Sequence, residues 1–413
     1  MRFFYNLFIW TYGFIIGFVS LFNHKASLWV NGRKQIFKKI EDSLKPNEKI
    51  IWFHCASLGE FEQGRPLIEK IKRKKTDYKI FLTFFSPSGY EIRKDYEFAD
   101  YIFYLPSDTP SNAKKLIKLL KPEIVFFVKY EFWFNYISQL KKNNIALYLV
   151  SGVFRKEQYF FKPWGGWFRK QLRNFTFFFL QDESSAQLLN QIGIENQLVS
   201  GDSRFDRVSE ILDNKTELPI IDNFSNGKHV LCVGSSWPPD EEIILKYFSK
   251  EKVGIKLIIA PHDIGKKHIE EIKNKFRDFK TILYSEVVDG KEIRDNDILI
   301  IDSIGLLNMI YQYAHIAYIG GGFGVGIHNL LEPAVYSIPV LYGPAHKHFR
   351  EAVEMSQHKG GFPIENAEDF KETMSQLLSN KSFYNENALS AGNYIKSNTG
   401  ATKIIFEKVF QGS

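Results

Sequence analysis

Glu60 stands three residues after Ser57, in the string HCASLGE that leaves an apolar run at 50–54 and enters a segment of helical period. A carboxylate between a strand end and a helix first turn sits where a parallel α/β sheet presents its reacting groups. It is suited to removing a proton from an attacking hydroxyl. The same position also suits an acid that only satisfies the helix dipole, so spacing alone leaves both roles open. A second constellation is YIGGGFGVGIHNLLEPAVYSIPVLYGP at 318–344, with Gly320, Gly321, Gly322, Gly324 and Gly326 inside seven residues. It predicts a strand over 314–319, a glycine loop, a short helix from about 328 to 336 and a strand over 339–342. A glycine loop feeding a helix start gathers unpaired N–H groups and the positive dipole end on one point, which suits a phosphate. His328 and Glu332 are four apart and would share a helix face. One can face the phosphate side of a nucleotide, the other its ribose hydroxyls.

Positioning such groups takes an ordered sheet, and the chain predicts two. Strand-like runs fall at 50–54, 79–83, 101–105, 124–128, 145–150, 175–180 and 197–199, with helical period between most of them. Polar, helix-poor residues at 212–228 read as a linker. A second series follows at 229–233, 257–260, 281–284, 298–301, 316–319 and 340–342. Strands alternating with helices imply parallel, doubly wound sheets. At 413 residues the chain is long enough for two such cores. The expected domains are 25–211 for an acceptor and 229–385 for a nucleotide-sugar. A helical tail over 386–413 could cross back onto the first. Two Rossmann-like domains with a nucleotide clamp in the second describe the GT-B α/β architecture, in which ligands bind in the inter-domain cleft.

Composition narrows the partners. Net charge is +7, which favours acidic ones: anionic lipid, nucleic acid, or phosphorylated and carboxylated substrates. Nucleic-acid motifs are absent, so no nucleic-acid partner is expected. Cys55 and Cys232 lack metal or redox spacing and read as buried thiols of a reducing compartment. Residues 3–22 carry no charge, while Arg2 precedes them and His24, Lys25, Arg33, Lys34, Lys38 and Lys39 follow. Residues 1–24 are therefore expected to anchor the chain, by spanning a membrane or lying along it. The downstream basic excess places the body on the cytoplasmic side. The aromatic and basic stretch YFFKPWGGWF, 159–168, reads either as a membrane-interface loop or as a buried aromatic loop.

Several strings, in order, resemble the Kdo transferase family: HCASLGEFEQGRPLI, SPSG at 86–89, LPSDTP at 105–110, YEFWFN at 130–135, GDSRFDRV at 201–208, SSWPPDEE at 235–242, APH at 260–262 and GIHNLLEPA. The resemblance covers about 29–349. It implies a GT-B glycosyltransferase with an N-terminal anchor at the inner membrane. Such an enzyme moves 3-deoxy-D-manno-oct-2-ulosonic acid (Kdo) from CMP-Kdo to the 6′-hydroxyl of a lipid A precursor, with inversion and without metal or other cofactor. Ser57, Gly59 and Glu60 match the family's SxGE motif, with Glu60 as the base. Lys129, Glu131 and Asn135 fall on its ExELWPN motif, where Lys129 replaces an acid; Arg155 matches an arginine. These are candidates for the acceptor or the donor carboxylate. Arg204 and Asp206 lie on a further motif and are expected near the cleft. The nucleotide residues implied are Ser235, Ser236, His262, Gly322, Gly324, Gly326, His328, Asn329 and Glu332. Ser235 and Ser236 are expected to open a helix. Pro261 stands where the family has arginine, with Lys266 and Lys267 as substitutes. Two other readings fit the pattern: a GT-B transferase with a UDP-sugar donor, and an inactive membrane-anchored nucleotide-binding scaffold.

Overall fold

The computed structural model describes residues 1–213, 216–250, 254–324 and 326–411. Two compact units share the chain: 1–207 with 399–413, and 208–398. Each is built on a seven-stranded sheet in which every pairing is parallel.

The first sheet holds β1 (Lys49–Cys55), β2 (Tyr78–Phe84), β3 (Tyr101–Tyr104), β4 (Ile124–Val128), β5 (Ala146–Gly152), β6 (Phe177–Leu180) and β7 (Gln197–Val199), in the order β3-β2-β1-β4-β5-β6-β7. Its strands are nearly continuous apolar runs because both faces are covered. Trp52, Phe81, Phe127 and Leu149 fill one side. On the other, Ile51, Phe53, Phe126 and Val150 meet Phe61, Leu67 and Ile71, together with Ile405 and Phe406. The last two belong to the C-terminal helix Ala401–Phe410, which closes the first unit.

The order reverses beside β1, so the loops after β1 and β4 diverge there, the usual place for a ligand in this kind of sheet. Ahead of β1 lie α1 (Arg2–Val19), α2 (His24–Gly32) and α3 (Ile36–Ser43). The 18-residue α1 is predominantly apolar and long enough to cross a membrane, with 6% of that span buried. It nevertheless lies against the body. The Tyr5 hydroxyl donates to Asp108 Oδ2 at 2.5 Å, Asn135 Nδ2 donates to Asn6 Oδ1 at 2.9 Å, and Tyr12 packs on Trp29 and Phe85. The opposite face is bare hydrocarbon, with Phe14 79% and Phe18 63% exposed.

Arg33, one of the flanking cations, is half-buried. Its guanidinium donates to the carbonyls of Trp29, Phe85 and Leu105 and lies 3.8 Å over the Trp29 ring. Burial lowers it to about 9. The 159–168 stretch is mainly a packed loop. Phe160 is fully buried, Tyr159, Phe161, Trp167 and Phe168 pack on the core, and Trp164 is exposed. Aromatic area belongs in a core unless something else covers it.

The second sheet holds β8 (Val230–Ser236), β9 (Lys256–Pro261), β10 (Thr281–Leu283), β11 (Ile298–Ile300), β12 (Ile316–Ile319), β13 (Val340–Tyr342) and β14 (Gly361–Pro363), in the order β10-β11-β9-β8-β12-β13-β14. The expected linker is partly helical: one helix runs to Asp213, 214–215 lie outside the described residues, and a second helix is Pro219–Ser225. Both Cys55 and Cys232 are buried free thiols.

Candidate active site

β1 ends at Cys55, and Ser57 caps α4 (Leu58–Lys74). Glu60, at the third position of α4, accepts from the Ser57 N–H at 2.7 Å and from the Ser57 hydroxyl. This is a capping box, which settles two donors at a helix start. It also fixes the half-buried Glu60 carboxylate at the carboxyl edge of the sheet. Gly59 beside it is exposed, with only the Ser57 hydroxyl near where a Cβ would stand.

Beneath this edge runs a buried relay. Trp52 Nε1 donates to Thr83 Oγ1 at 2.8 Å, and His54 Nδ1 lies 2.9 Å from the same hydroxyl. His54 Nε2 sits 3.1 Å from Glu131 Oε2, which also accepts from Trp133 Nε1 at 2.5 Å. Trp133 Nε1 also lies 2.9 Å from His54 Nε2, so the indole N–H, which can only donate, is shared between the imidazole and the Glu131 carboxyl. Glu131 is 7% exposed, so its hydrogen-bond partners come from inside the fold. Sequence reasoning found Glu131 and missed His54, although His54 opens the string that ends in Glu60.

After β4 the chain turns sharply at Lys129, a non-glycine residue with φ 68°. Ser151, at the end of β5, has φ 52°, and Ser235, at the end of β8, has φ 53°. Left-handed backbone at such residues costs about 1–3 kcal/mol each and gathers at functional sites. Burial, with Arg204 nearby, lowers the Lys129 ammonium; Glu60 and Asp202 oppose that shift. Among the described residues Lys129 forms no ion pair, and its Nζ lies 5.1 Å from the centre of the Tyr130 ring. The exposed Arg155 reaches the same ring at 5.9 Å. Arg204 is paired with Asp202 at 2.7 Å. The first unit thus sets Glu60, Lys129 and Arg155 around one edge.

Two expected site residues are occupied elsewhere. Asn135 is buried, and its amide is committed to the Asp108 carbonyl and to Asn6 of α1. Asp206 accepts from the N–H groups of Gly400 and Thr402, so it caps the C-terminal helix. Cap geometry across nearly two hundred residues of sequence leaves no local signal.

In the second unit β12 leads into the glycine loop, but the expected helix over 328–336 is reduced to Leu331–Ala334. Asn329 stops it from starting earlier: Oδ1 accepts from the Leu331 N–H, while Nδ2 donates to Glu332 Oε1. His328 therefore lies in the loop and shares no helix face with Glu332. The loop N–H groups are also largely satisfied internally. Those of Gly324 and Gly326 donate to the Gly321 carbonyl, that of Gly320 to Gly234, that of His328 to Gly320, and that of Gly321 to Asp240 Oδ2. Asp240 holds the Trp237 N–H with the same oxygen and the Tyr318 hydroxyl with the other. Burial raises this carboxyl.

Packing explains two of the glycines. A Cβ on Gly320 would stand 2.4 Å from the Ser235 carbonyl oxygen, and one on Gly322 would stand 2.5 Å from Gly343 backbone. Gly324 is exposed with open space around it. Ser235 and Ser236 end β8 instead of opening a helix, because the next helix starts at Pro238. The Ser236 hydroxyl donates to Glu241.

Three rings gather beside this loop. His262 stacks on Trp237 at 4.7 Å and on His328 at 4.6 Å, and Trp237 Nε1 donates to His328 Nε2 at 3.2 Å. Indole N–H only donates, so His328 carries its proton on Nδ1. Burial, and then His262, lower the His328 pKa and favour the neutral ring. Trp237 was missed in the sequence, where only the serines of SSWPPDEE drew notice. Lys266 and Lys267 are exposed, and Lys267 pairs loosely with Glu271.

Residues 31–207 match the family model described as 3-Deoxy-D-manno-octulosonic-acid transferase (kdotransferase). The chain is similar to the 3-deoxy-D-manno-octulosonic acid transferase of Aquifex aeolicus, 29% identical over 84% of this chain and 91% of that protein. It is also similar to that of Chlamydia trachomatis serovar D, 27% identical over 82% and 80%. Among solved structures, a UDP-GlcNAc 2-epimerase from Neisseria meningitidis aligns with a TM-score of 0.62 at 15% identity, over 88% of this chain and all of that one. A glycosyltransferase from Rickettsia africae aligns with a TM-score of 0.55 at 13% identity, over 89% and 100%. These two show the GT-B type of fold alone.

Proposed function

Because the chain belongs to the Kdo transferase family, we propose that it transfers Kdo from CMP-Kdo to the 6′-hydroxyl of a lipid A precursor in lipopolysaccharide synthesis. The observation that carries this reading is Glu60, held by its capping box at the carboxyl end of β1 with the unpaired Lys129 in its field. Glu60 takes the proton of the acceptor hydroxyl as its oxygen attacks the anomeric carbon of Kdo. The bond from that carbon to the CMP phosphate oxygen breaks, with inversion. CMP leaves as an anion and needs little protonation. Lys129 and Arg155 suit the Kdo carboxylate or an acceptor phosphate, Arg155 through planar bidentate pairing.

In the second unit the Nδ1–H of His328 and the hydroxyl of Ser235 are available to the departing phosphate, and Gly324 leaves room for close approach. Asn329 and Glu332, which bond each other, are the residues this reading gives to the ribose hydroxyls. With protein donors meeting the phosphate charge, the reading expects no metal or other cofactor. Pro261 leaves selectivity for the base open, so a UDP-sugar donor is the second reading.

We read α1 as lying in the membrane interface on the cytoplasmic face of the inner membrane. Tyr5, Asn6, Ile9 and Tyr12 hold the helix to the body over about two turns, while Phe14 and Phe18 face outward. A spanning helix would have to break those bonds.

The test is incubation of the pure protein with CMP-Kdo and a tetraacylated lipid A precursor, followed by mass spectrometry. A product heavier by one or more Kdo units is expected. Transfer from a UDP-sugar, with none from CMP-Kdo, overturns the reading.

A further inference from the structure

A pocket of about 180 Å³ lies between α1 and the body of the first unit, walled by Phe8, Ile9 and Tyr12 of the helix and by Trp29, Phe85 and Trp133. Asp108 lines it too, but its carboxylate is taken up by the Tyr5 hydroxyl and the N–H groups of Asn135 and Tyr136. What remains is apolar. Phe8 is 62% exposed, so one wall is continuous with the bare outer face of α1. Ser107 lines this pocket and also a larger neighbour of about 480 Å³, which contains Arg33, Lys38, Lys115 and Asn112 and no acidic residue. The Arg33 guanidinium, stacked on Trp29, stands between the two. Hydrocarbon space beside cationic space is the make-up of a site for a phosphorylated lipid.

The position of the pocket selects which lipid. Phe85 follows β2, Ser107 lies just beyond β3 and Trp133 beyond β4, on the same sheet edge as Glu60. Trp133 donates to Glu131, the partner of His54. An occupant would therefore touch the Trp133 end of the buried relay, at the carboxyl edge of the sheet from which α4 and Glu60 also start. A bilayer phospholipid has no reason to reach there, whereas an acceptor with a reacting hydroxyl does.

We propose that one acyl chain of the acceptor inserts between α1 and the body, with an acceptor phosphate in the adjoining cationic pocket. This rests on the reading of the acceptor as an acylated, phosphorylated glucosamine lipid. The space equals that of about six waters, enough for the last few methylenes of a chain. Each methylene buried there tightens binding about fourfold.

The experiment uses the full chain in detergent micelles with an acceptor brominated near its acyl ends. Tryptophan fluorescence reports contact, and kcat/KM is measured for acylated and deacylated acceptors. Bromine quenching of the wild type is expected, together with at least a tenfold fall in the acylated-to-deacylated kcat/KM ratio in Ser107→Leu. Phe8→Ala, at a largely exposed position, is expected to lower the same ratio and guards against misfolding of the first variant. An unchanged ratio in both variants overturns the proposal. So does quenching by a brominated phospholipid as strong as that by the acceptor. Transfer without quenching removes the pocket and leaves the Kdo reading; quenching without transfer does the reverse.

Discussion

Glu60→Gln separates a catalytic base from a helix cap, because the structure gives one carboxylate both positions. The glutamine keeps an oxygen for the Ser57 N–H, now at 2.7 Å from Glu60, and for the Ser57 hydroxyl, which donates to the same atom, but loses the charge facing the start of α4 and so accepts the hydroxyl more weakly. The charge–dipole loss is about 0.3–1 kcal/mol, and the weakened hydroxyl bond adds about 0.5–1 kcal/mol. The total, about 1–2 kcal/mol, lowers Tm by about 2–8 °C for a unit of this size. Loss of a general base is larger, about 10²–10⁴ in rate, or about 3–5 kcal/mol of barrier. Thermal melts followed by tryptophan fluorescence, run beside Kdo transfer with CMP-Kdo, therefore read two different quantities. A variant that melts a few degrees low and has lost at least a hundredfold in kcat is expected. Ser57→Ala is the control: it should melt lower by a similar amount and keep activity within about tenfold, since the carboxylate and its N–H bond remain. If Glu60→Gln transfers within about fivefold of wild type, Glu60 is a cap and the base lies elsewhere.

Three more outcomes are expected. Burial outweighs three donors and holds Asp108 up to about 6 from 3.8. A carboxyl raised on folding contributes stability that is fully present below about pH 4 and is lost as pH rises through 6. That amounts to about 3 kcal/mol by linkage; urea titrations across this window should show the decline, and Asp108→Asn should flatten it. Gly320→Ala should unfold the second unit at lower temperature, because its Cβ meets the Ser235 carbonyl at 2.4 Å, whereas Gly324→Ala should melt like wild type and bind CMP more weakly by calorimetry. Trp237→Phe removes the N–H that fixes His328 and should raise the Kd for CMP about fivefold, the worth of one hydrogen bond. Phe and Tyr at that position binding CMP equally to Trp would refute the role given to the indole.

The sheets were legible because a strand covered on both faces must be apolar along its length. The runs at 124–128, 197–199 and 316–319 coincide with β4, β7 and β12, whereas β14, Gly361-Phe362-Pro363, carries a glycine and a proline, residues depleted in strands. Glu60 was legible from its place after such a run. His54 and Trp237 were not, since each matters through a partner brought near by the fold: Glu131, 77 positions on, and His328, 91 positions on. The helix expected at 328–336 failed for a local reason. Asn329 draws the Leu331 N–H to its own side chain, and Asn competes with helix in just this way. The glycine loop suggested a phosphate cradle, yet most of its N–H groups close on the loop itself and on Asp240.

The C-terminal helix has a consequence for biosynthesis. Its Ile405 and Phe406 lie in the core layer beneath Phe61, Leu67 and Ile71 of α4, and Asp206 supplies its cap. Residues 208–398 are made in between. At about 5–20 residues per second the ribosome needs on the order of 10–40 s to cross that interval. Throughout it the first unit carries an uncovered apolar strip on α4 and an unanswered carboxylate at Asp206. The nascent chain thus exposes apolar surface at a definite stage, and a stop codon after 398 would yield a protein with every strand of both sheets and no lid on its first core.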